Sequence, residues 1–303
     1  MISAIIFEKV LTIFFLIVIG FLCYKTKILD DHTKMHMSVL ITQIVTPVLI
    51  FVSYQMDLNM DLVKNMGITF LLAVLNYFLA IGIVRLAVRR KEGYDLAVEK
   101  FTAIYSNCGF MGIPLAYGLY GAEGVVFATV YMTVFNIFAW THGVVLMDPE
   151  NSKIDLRKLI SPSLIGIVLG LLFFFFQIRV PGPLYDAFEF VGDLNTPLAM
   201  LVSGVIIAQI QFREMVRHVR IYLITILRLV VIPLFFGLAV RFLPLDEMVK
   251  VVAMTLTACP TAALGIIFSV RFKRDDKYAA EIFSVTTLCS LLTIPLSVIL
   301  VTV

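Results

Sequence analysis

The chain has 303 residues, of which 60% are hydrophobic and only 15% charged, with a mean hydropathy of +0.99. A soluble domain carries roughly 25% charged residues, so the composition excludes an ordinary soluble fold and indicates a polytopic membrane protein. The net charge of +3 is no signature of a nucleic-acid partner, because the basic residues are distributed by membrane topology.

Runs of about 20 apolar residues are long enough to cross a bilayer as helices. They predict ten spans, near residues 3–24, 36–56, 62–88, 96–120, 122–147, 157–178, 184–210, 219–243, 247–271 and 277–302. The first run has no basic leader or small-residue cleavage site and is expected to stay as a helix. The connections between spans alternate in charge. One set holds Lys25, Lys27, Lys34, Arg85, Arg89, Arg90, Lys91, Lys100, Lys153, Arg157, Lys158, Arg213, Arg217, Arg220, Arg271, Lys273, Arg274 and Lys277, which is 18 of the 24 basic residues. The other holds Lys9, Lys64, Arg179, Arg241 and Lys250. Cytoplasmic loops concentrate Lys and Arg, so the first set is expected on the cytoplasmic face of a plasma (inner) membrane, with both termini on the other side. Residues 148–156 form the one candidate linker, between a five-span unit at 1–147 and another at 157–303.

Landmarks recur between these units. Thr46 and Pro47 in VTPVLIF resemble Thr196 and Pro197 in LNTPLAM, and Gly20 and Gly170 each precede their proline by 27 residues. Pro114 follows Pro47 by 67 residues and Pro260 follows Pro197 by 63. Since five is odd, the second unit enters the membrane inverted relative to the first. The expected fold is therefore all-α and integral to the membrane, ten transmembrane helices in two inverted five-helix repeats, with broken crossover helices fourth and ninth in order. Paired Gly/Pro interruptions at corresponding positions point to a transporter's binding site. Here they fall at Asn107 to Pro114 and at Thr255 to Pro260.

Proline removes a backbone donor and clashes with the preceding turn, yet is well placed as the first residue of a helix. Pro114 and Pro260 are each expected to begin an outgoing half-helix, with Gly109 and Gly112 supplying the unwound link. Half-helix N-termini carry about half a positive charge each and suit a carboxylate or other anion. Asn107, Thr257 and Thr261 would orient it by hydrogen bonds. The competing reading is a kinked helix with Asn107 as an interhelical hydrogen bond.

Arg228, about nine residues into its span, is either functional or snorkels to the interface. Asp193, four residues before Pro197, is a candidate for a coupling proton, a cation pair or a local cap. Gln43, Thr46, Pro47, Asn195, Thr196, Pro197 and Arg228 form a second tier of site residues flanking the crossover. Asn76 and Asn136 read as links between helices, and Glu189 and Glu123 as solvated. Cys23, Cys108, Cys259 and Cys289 lie in apolar runs without metal-ligand or disulfide spacing, and the four histidines form no motif. No cofactor, metal site or enzyme motif is expected.

NCGFMGIPLAYGLYGAEG resembles the fourth-helix signature of the auxin efflux carrier family, which includes plant exporters and bacterial malate or organic-acid permeases. LTACPTAALGIIFSVRF and DDKYAAEIFSVTTLCSLLTIPLSVIL are similar to its ninth and tenth helices, and SPSLIGIVLGLL and LNTPLAMLVSG to its sixth and seventh. The resemblance implies a scaffold domain with a transport domain, alternating access, Asn107 and Pro114 in the substrate-contact region, Pro260 in the second crossover, and dimers in some relatives. Thr257 and Cys259 stand where plant exporters carry an asparagine nearby, and the long cytoplasmic loop of many plant members is missing. The expected substrate is a small carboxylate such as malate or an auxin-like acid, with proton or sodium coupling left open. A cation/proton exchanger or channel of similar architecture is the alternative; its exchange would call for acids at the midplane, and the fifth span offers Asn136 and no carboxylate.

Overall fold

The computed structural model describes residues 2–148, 161–210 and 218–302, with side chains from residue 7 onward. Residues 149–156 of the expected linker, and the basic residues Lys153, Arg157, Lys158, Arg213 and Arg217, lie outside the described residues. Among the described residues every regular element is helical. The helices are α1 (Ile2–Lys25), α2 (Asp31–Ser53), α3 (Met60–Ala87), α4 (Leu96–Ile104), α5 (Cys108–Met147), α6 (Pro162–Phe175), α7 (Gly182–Ala208), α8 (Val219–Arg241), α9 (Glu247–Ala258), α10 (Leu264–Arg271) and α11 (Asp276–Thr302). Seven of them, α1, α2, α3, α5, α7, α8 and α11, are long and apolar enough to cross a membrane.

Helix starts are set by polar caps. Asp30, Asn59, Asp95, Ser161 and Asp246 each accept from backbone N–H groups of the first turn that would otherwise be orphaned. Prolines then shape the interiors. Pro47, Pro114 and Pro233 each follow a π-helical turn by two residues, at Ile41–Val45, Cys108–Gly112 and Leu227–Val231. A proline removes one rung of the hydrogen-bond ladder and pushes against the preceding turn, and a widened turn absorbs the misfit.

α5 is 40 residues long, about 60 Å at 1.5 Å per residue, against a hydrocarbon core of about 30 Å. It kinks at Gly121, whose φ of 58° and ψ of −140° favour glycine. Three residues on, a Cβ on Gly124 would sit 2.3 Å from the Ala116 carbonyl oxygen. These two glycines are what the GLYGAEG stretch is for.

Close helix pairs rest on other small residues. A Cβ on Gly204 of α7 would lie 2.1 Å from the Ile17 carbonyl oxygen of α1, and one on Gly20 2.3 Å from the Leu201 carbonyl oxygen. The pair α2 and α6 uses Gly166 against the Pro47 carbonyl and Gly170 against the Tyr54 ring. Van der Waals packing of this kind, rather than a hydrophobic drive, holds helices together in lipid. Leu71, Phe190 and Leu296 point outward, as lipid-facing residues do. Gly204→Ala is expected to lower stability by about 1–3 kcal/mol through overpacking, whereas Gly67→Ala, with open space at its Cβ, should not destabilise. Thermal melting of the two variants in detergent checks this; equal melting temperatures would refute the role given to Gly204.

Candidate functional site

α4 ends at Ile104 and α9 at Ala258, each followed by extended chain. The two extended links run antiparallel across each other as a single bridge between Ser106 and Thr261. Asn107 N–H donates to the Pro260 carbonyl at 2.7 Å, and Ala262 N–H donates to the Tyr105 carbonyl at 2.9 Å. Thr261 Oγ1 donates to the Thr102 carbonyl at 2.5 Å, and its N–H donates to Thr286 Oγ1 of α11 at 3.2 Å. Away from water a backbone group left without a partner costs several kcal/mol, so the two breaks pair off each other's donors and acceptors.

The carbonyls at the ends of α4 and α9 remain. Arg228, fully buried on α8, supplies them. Its Nη1 donates to the Ile104 carbonyl at 2.8 Å and more weakly to that of Ala103 at 3.4 Å, while Nη2 donates to the Thr257 carbonyl. One guanidinium fork thus caps two helix C-termini at once, where a cation is electrostatically favoured. Among the described residues it forms no ion pair with a carboxylate. Of the two readings of Arg228, the inward one is what the structure has.

The other expected residues divide. Asn107 is 5% exposed, lies between the two halves of the broken helix, and its side chain makes no cap to the following turn; its carbonyl accepts from Met111 and Gly112 at 3.1 Å. Thr257 Oγ1 lies 3.1 Å from Tyr131 Oη, which accepts from Asn76 Nδ2 at 2.7 Å. The unwound link is not Gly109 to Gly112, which form a π turn, but Tyr105 to Asn107. Cross-pairing, not glycine freedom, holds it extended. Gly112 serves close approach instead, since a Cβ there would meet Leu256 of α9 at 2.4 Å. Pro114 does not begin the outgoing half-helix, which starts at Cys108; it lies inside α5, two residues past the π turn. Nor does Pro260 begin one: α10 begins at Leu264, because the Pro260 and Thr261 backbone is spent on the bridge.

Thr46 Oγ1 donates to Asn195 Oδ1 at 2.7 Å, joining α2 to α7 where both are irregular, and Asn195 Nδ2 is buried without a partner. Pro47, Thr196 and Pro197 are half-buried beside this joint. Gln43 is exposed and lines an apolar crevice of about 450 Å³ between α2 and α6, so it turns away from the crossover. Asp193 is also exposed, with Tyr117 Oη at 3.4 Å as its hydrogen-bond partner among the described residues; the helix bend before Asn195 carries it outward. Residues that sequence reasoning missed include Ser106, Thr102, Tyr131 and Thr286, whose roles are contacts between distant segments.

A cavity of about 680 Å³ opens among α2, α7, α10 and α11. Lys34, Gln209, Asp276 and Lys277 stand at one end, and Phe110 and Ala263 at the other, three residues past Asn107 and two past Thr261. Its walls are largely apolar, including Val202, Ile206, Ile266 and Ile267. It therefore runs from the basic side of the molecule to the edge of the crossover.

A family model described as membrane transport protein matches residues 5–298. Along the whole length, the chain is 25% identical over 301 residues to an uncharacterized transporter of Methanothermobacter thermautotrophicus, with 95% of this chain and 96% of the relative covered. It is 23% identical over 306 residues to an uncharacterized transporter of Methanocaldococcus jannaschii, again covering 95% and 96%.

Removing the guanidinium strands the C-terminal carbonyls of two half-helices. Arg228→Met is expected to cost about 2–6 kcal/mol, because the Ile104 and Thr257 carbonyls are left buried without a donor at about 1–3 kcal/mol each. Arg228→Lys should cost less but remain below wild type, since an ammonium keeps the charge and loses the planar fork. Chemical denaturation in detergent measures both, and an Arg228→Met protein as stable as wild type would remove the assigned role.

Proposed function

The chain belongs to the membrane transport protein family, the auxin efflux carrier group that its fourth-span motif resembles, and from that membership we propose a secondary active transporter of a small organic anion. The substrate class is a carboxylate such as malate or an auxin-like acid, carried by alternating access at the crossover. α4 with the first part of α5 makes one crossing, the rest of α5 beyond Gly121 another, and α9 with α10 a third, so that the membrane is crossed ten times. Two five-helix units, 1–147 and 157–303 with the linker 148–156 between them, are then inverted relative to each other. The glycine contacts support that relation. Gly20 in the first crossing packs on α7, the second crossing of the other unit, and Gly170, 27 residues before its proline as Gly20 is, packs on α2. By the distribution of Lys and Arg the basic ends are cytoplasmic, and both termini lie outside.

One observation carries the anion reading: a buried guanidinium at the crossover whose partners among the described residues are carbonyls and no carboxylate. Two helix C-termini bring about half a negative charge each, which roughly offsets Arg228. The outgoing half-helices then contribute about half a positive charge apiece on the other side of the bridge. An anion beside Asn107 balances that excess, and the Asn107 amide, which caps nothing, is free to donate to it. The cavity reaching Phe110 and Ala263 is the approach from the basic side.

Asn107→Ala should abolish binding of a carboxylate probe while leaving the melting temperature close to wild type. Malate, screened with other small carboxylates by thermal shift on purified protein and followed by counterflow in proteoliposomes, is the first probe. Near-normal affinity in the variant sinks the site. Anionic probes should also compete with one another where neutral amides of the same shape do not, and competition by the amides would argue against charge-based recognition.

A further inference from the structure

Two carboxylates are buried on the basic side of the crossover, and they are held differently. Glu99 of α4 receives a two-pronged ion pair from Arg220, Nε to Oε1 at 2.7 Å and Nη2 to Oε2 at 2.6 Å, and Tyr278 Oη donates to Oε1 at 3.1 Å. A guanidinium keeps its charge at any physiological pH, so Glu99 has a permanent cation as its partner. Glu281 of α11 has an imidazole instead. His218 Nδ1 lies 2.7 Å from Oε2, while Oε1 is buried with no hydrogen-bond partner among the described residues. The Glu281 side chain is 1% exposed, that of His218 44%, and Glu281 lines the cavity that leads to the crossover.

A buried carboxylate oxygen without a hydrogen bond is costly, and a proton removes that cost. Imidazole is the side chain that ordinarily changes charge near neutrality. We infer that Glu281 and His218 form a proton-binding site that couples proton movement to movement of the substrate anion; the coupling rests on the transporter reading above. A neutral imidazole beside a carboxylate has a net charge of −1. Uptake of one proton from water in the cavity brings the pair to zero, whether the proton rests on the ring or on Oε1, and only that N–H or O–H bond forms. In its anionic form the pair repels an incoming carboxylate, and in its protonated form it does not. Proton and anion thereby enter together.

The surroundings fit this assignment. Lys34 of α2 and Asp276 and Lys277 of α11 line the same cavity. Tyr94 and Tyr278 flank the His218 ring edge-on, and Arg220 is committed to Glu99. Lys100 of α4 and Arg271 of α10 lie on the side of His142 and Trp140. Among these groups His218 is the one imidazole facing Glu281. The link to the crossover is direct: Thr286, five residues along α11 from Glu281 or about 7.5 Å, accepts the Thr261 N–H.

The test compares the full-length protein with Glu281→Gln, which preserves shape, and with His218→Gln, which alters the more exposed partner. Infrared difference spectra between about pH 5 and about pH 8 read protonation of carboxyl and imidazole with no substrate present. A wild-type signal that is absent in Glu281→Gln and displaced along the pH axis in His218→Gln is expected; signals unchanged in both variants overturn the site. In malate-loaded proteoliposomes counterflow reads substrate movement, and an acid-outside gradient of about one pH unit reads coupling. Wild type should accumulate malate about ten-fold per coupled proton, and Glu281→Gln should lose accumulation while counterflow continues. Equal accumulation in both overturns the coupling. Absence of wild-type counterflow counts against malate and the transporter reading, and the proton site is then decided by the infrared result.

Discussion

Breaking a helix inside a membrane creates a shortage of hydrogen-bond partners that nothing in lipid can relieve. In this protein the shortage is met from three directions. The extended links bridge to each other at Ser106 and Thr261, the threonines at 102, 261 and 286 close the sides, and Arg228 gathers the carbonyls at the ends of α4 and α9. The donor with the right reach is a fork, because two carbonyl groups from different helices must be served from one point. That single side chain fixes where α8 passes, and through Tyr131 and Asn76 the neighbouring α3 and α5 are tied to the same point.

The helices outside this knot are built on another principle. α1 meets α7, and α2 meets α6, through glycines whose absent side chains let backbones touch, and Thr46 joins α2 to α7 through Asn195. Polar satisfaction dominates one group of helices, and van der Waals contact with a few hydrogen bonds dominates the other. The cavity lies along the boundary, with α2 and α7 on one side and α10 and α11 on the other. A boundary between two differently built groups is where relative motion disturbs the fewest hydrogen bonds, as opening and closing around a fixed site requires.

The parts of this arrangement legible in sequence were those encoded locally. Apolar runs gave the seven helices long and apolar enough to cross a membrane, and Asn107, Pro114 and Pro260 marked the breaks because helix-disrupting residues are conspicuous in lipid-compatible sequence. What each proline does was less legible. Pro114 sits inside α5 just past a π turn while Pro260 sits in the bridge, since the outcome depends on which backbone groups the opposite link claims. Gln43 and Asp193 were placed by distance from a proline, and a helix face cannot be deduced from that measure across a π turn or a bend. Arg228 was visible as a charge in a span, but its direction was not; the carbonyls it serves lie 29 and about 124 residues away in the chain. Arg220 was visible only as part of the basic charge pattern and His218 as a histidine outside any motif, and that Glu99 and Glu281 are fully enclosed is seen only in the fold.

The same geometry bears on which ion the crossover suits. Convergent carbonyls at two helix C-termini are what a metal cation coordinates in broken-helix carriers, and a hard cation takes several oxygens at once. Here the Ile104 and Thr257 carbonyls are already occupied by a guanidinium that is covalently part of the protein. A cation arriving at that point would have to displace Arg228 into a fully buried setting with no carboxylate ion-paired to it among the described residues, at a cost of several kcal/mol per buried charge. An anion bound as proposed faces no such exchange, because its place is at the opposite helix ends, where positive potential is left over. With a resident cation built into the crossing, the proposed anionic ligand is the one that completes the electrostatics, and on that reading a coupling charge is carried elsewhere in the molecule.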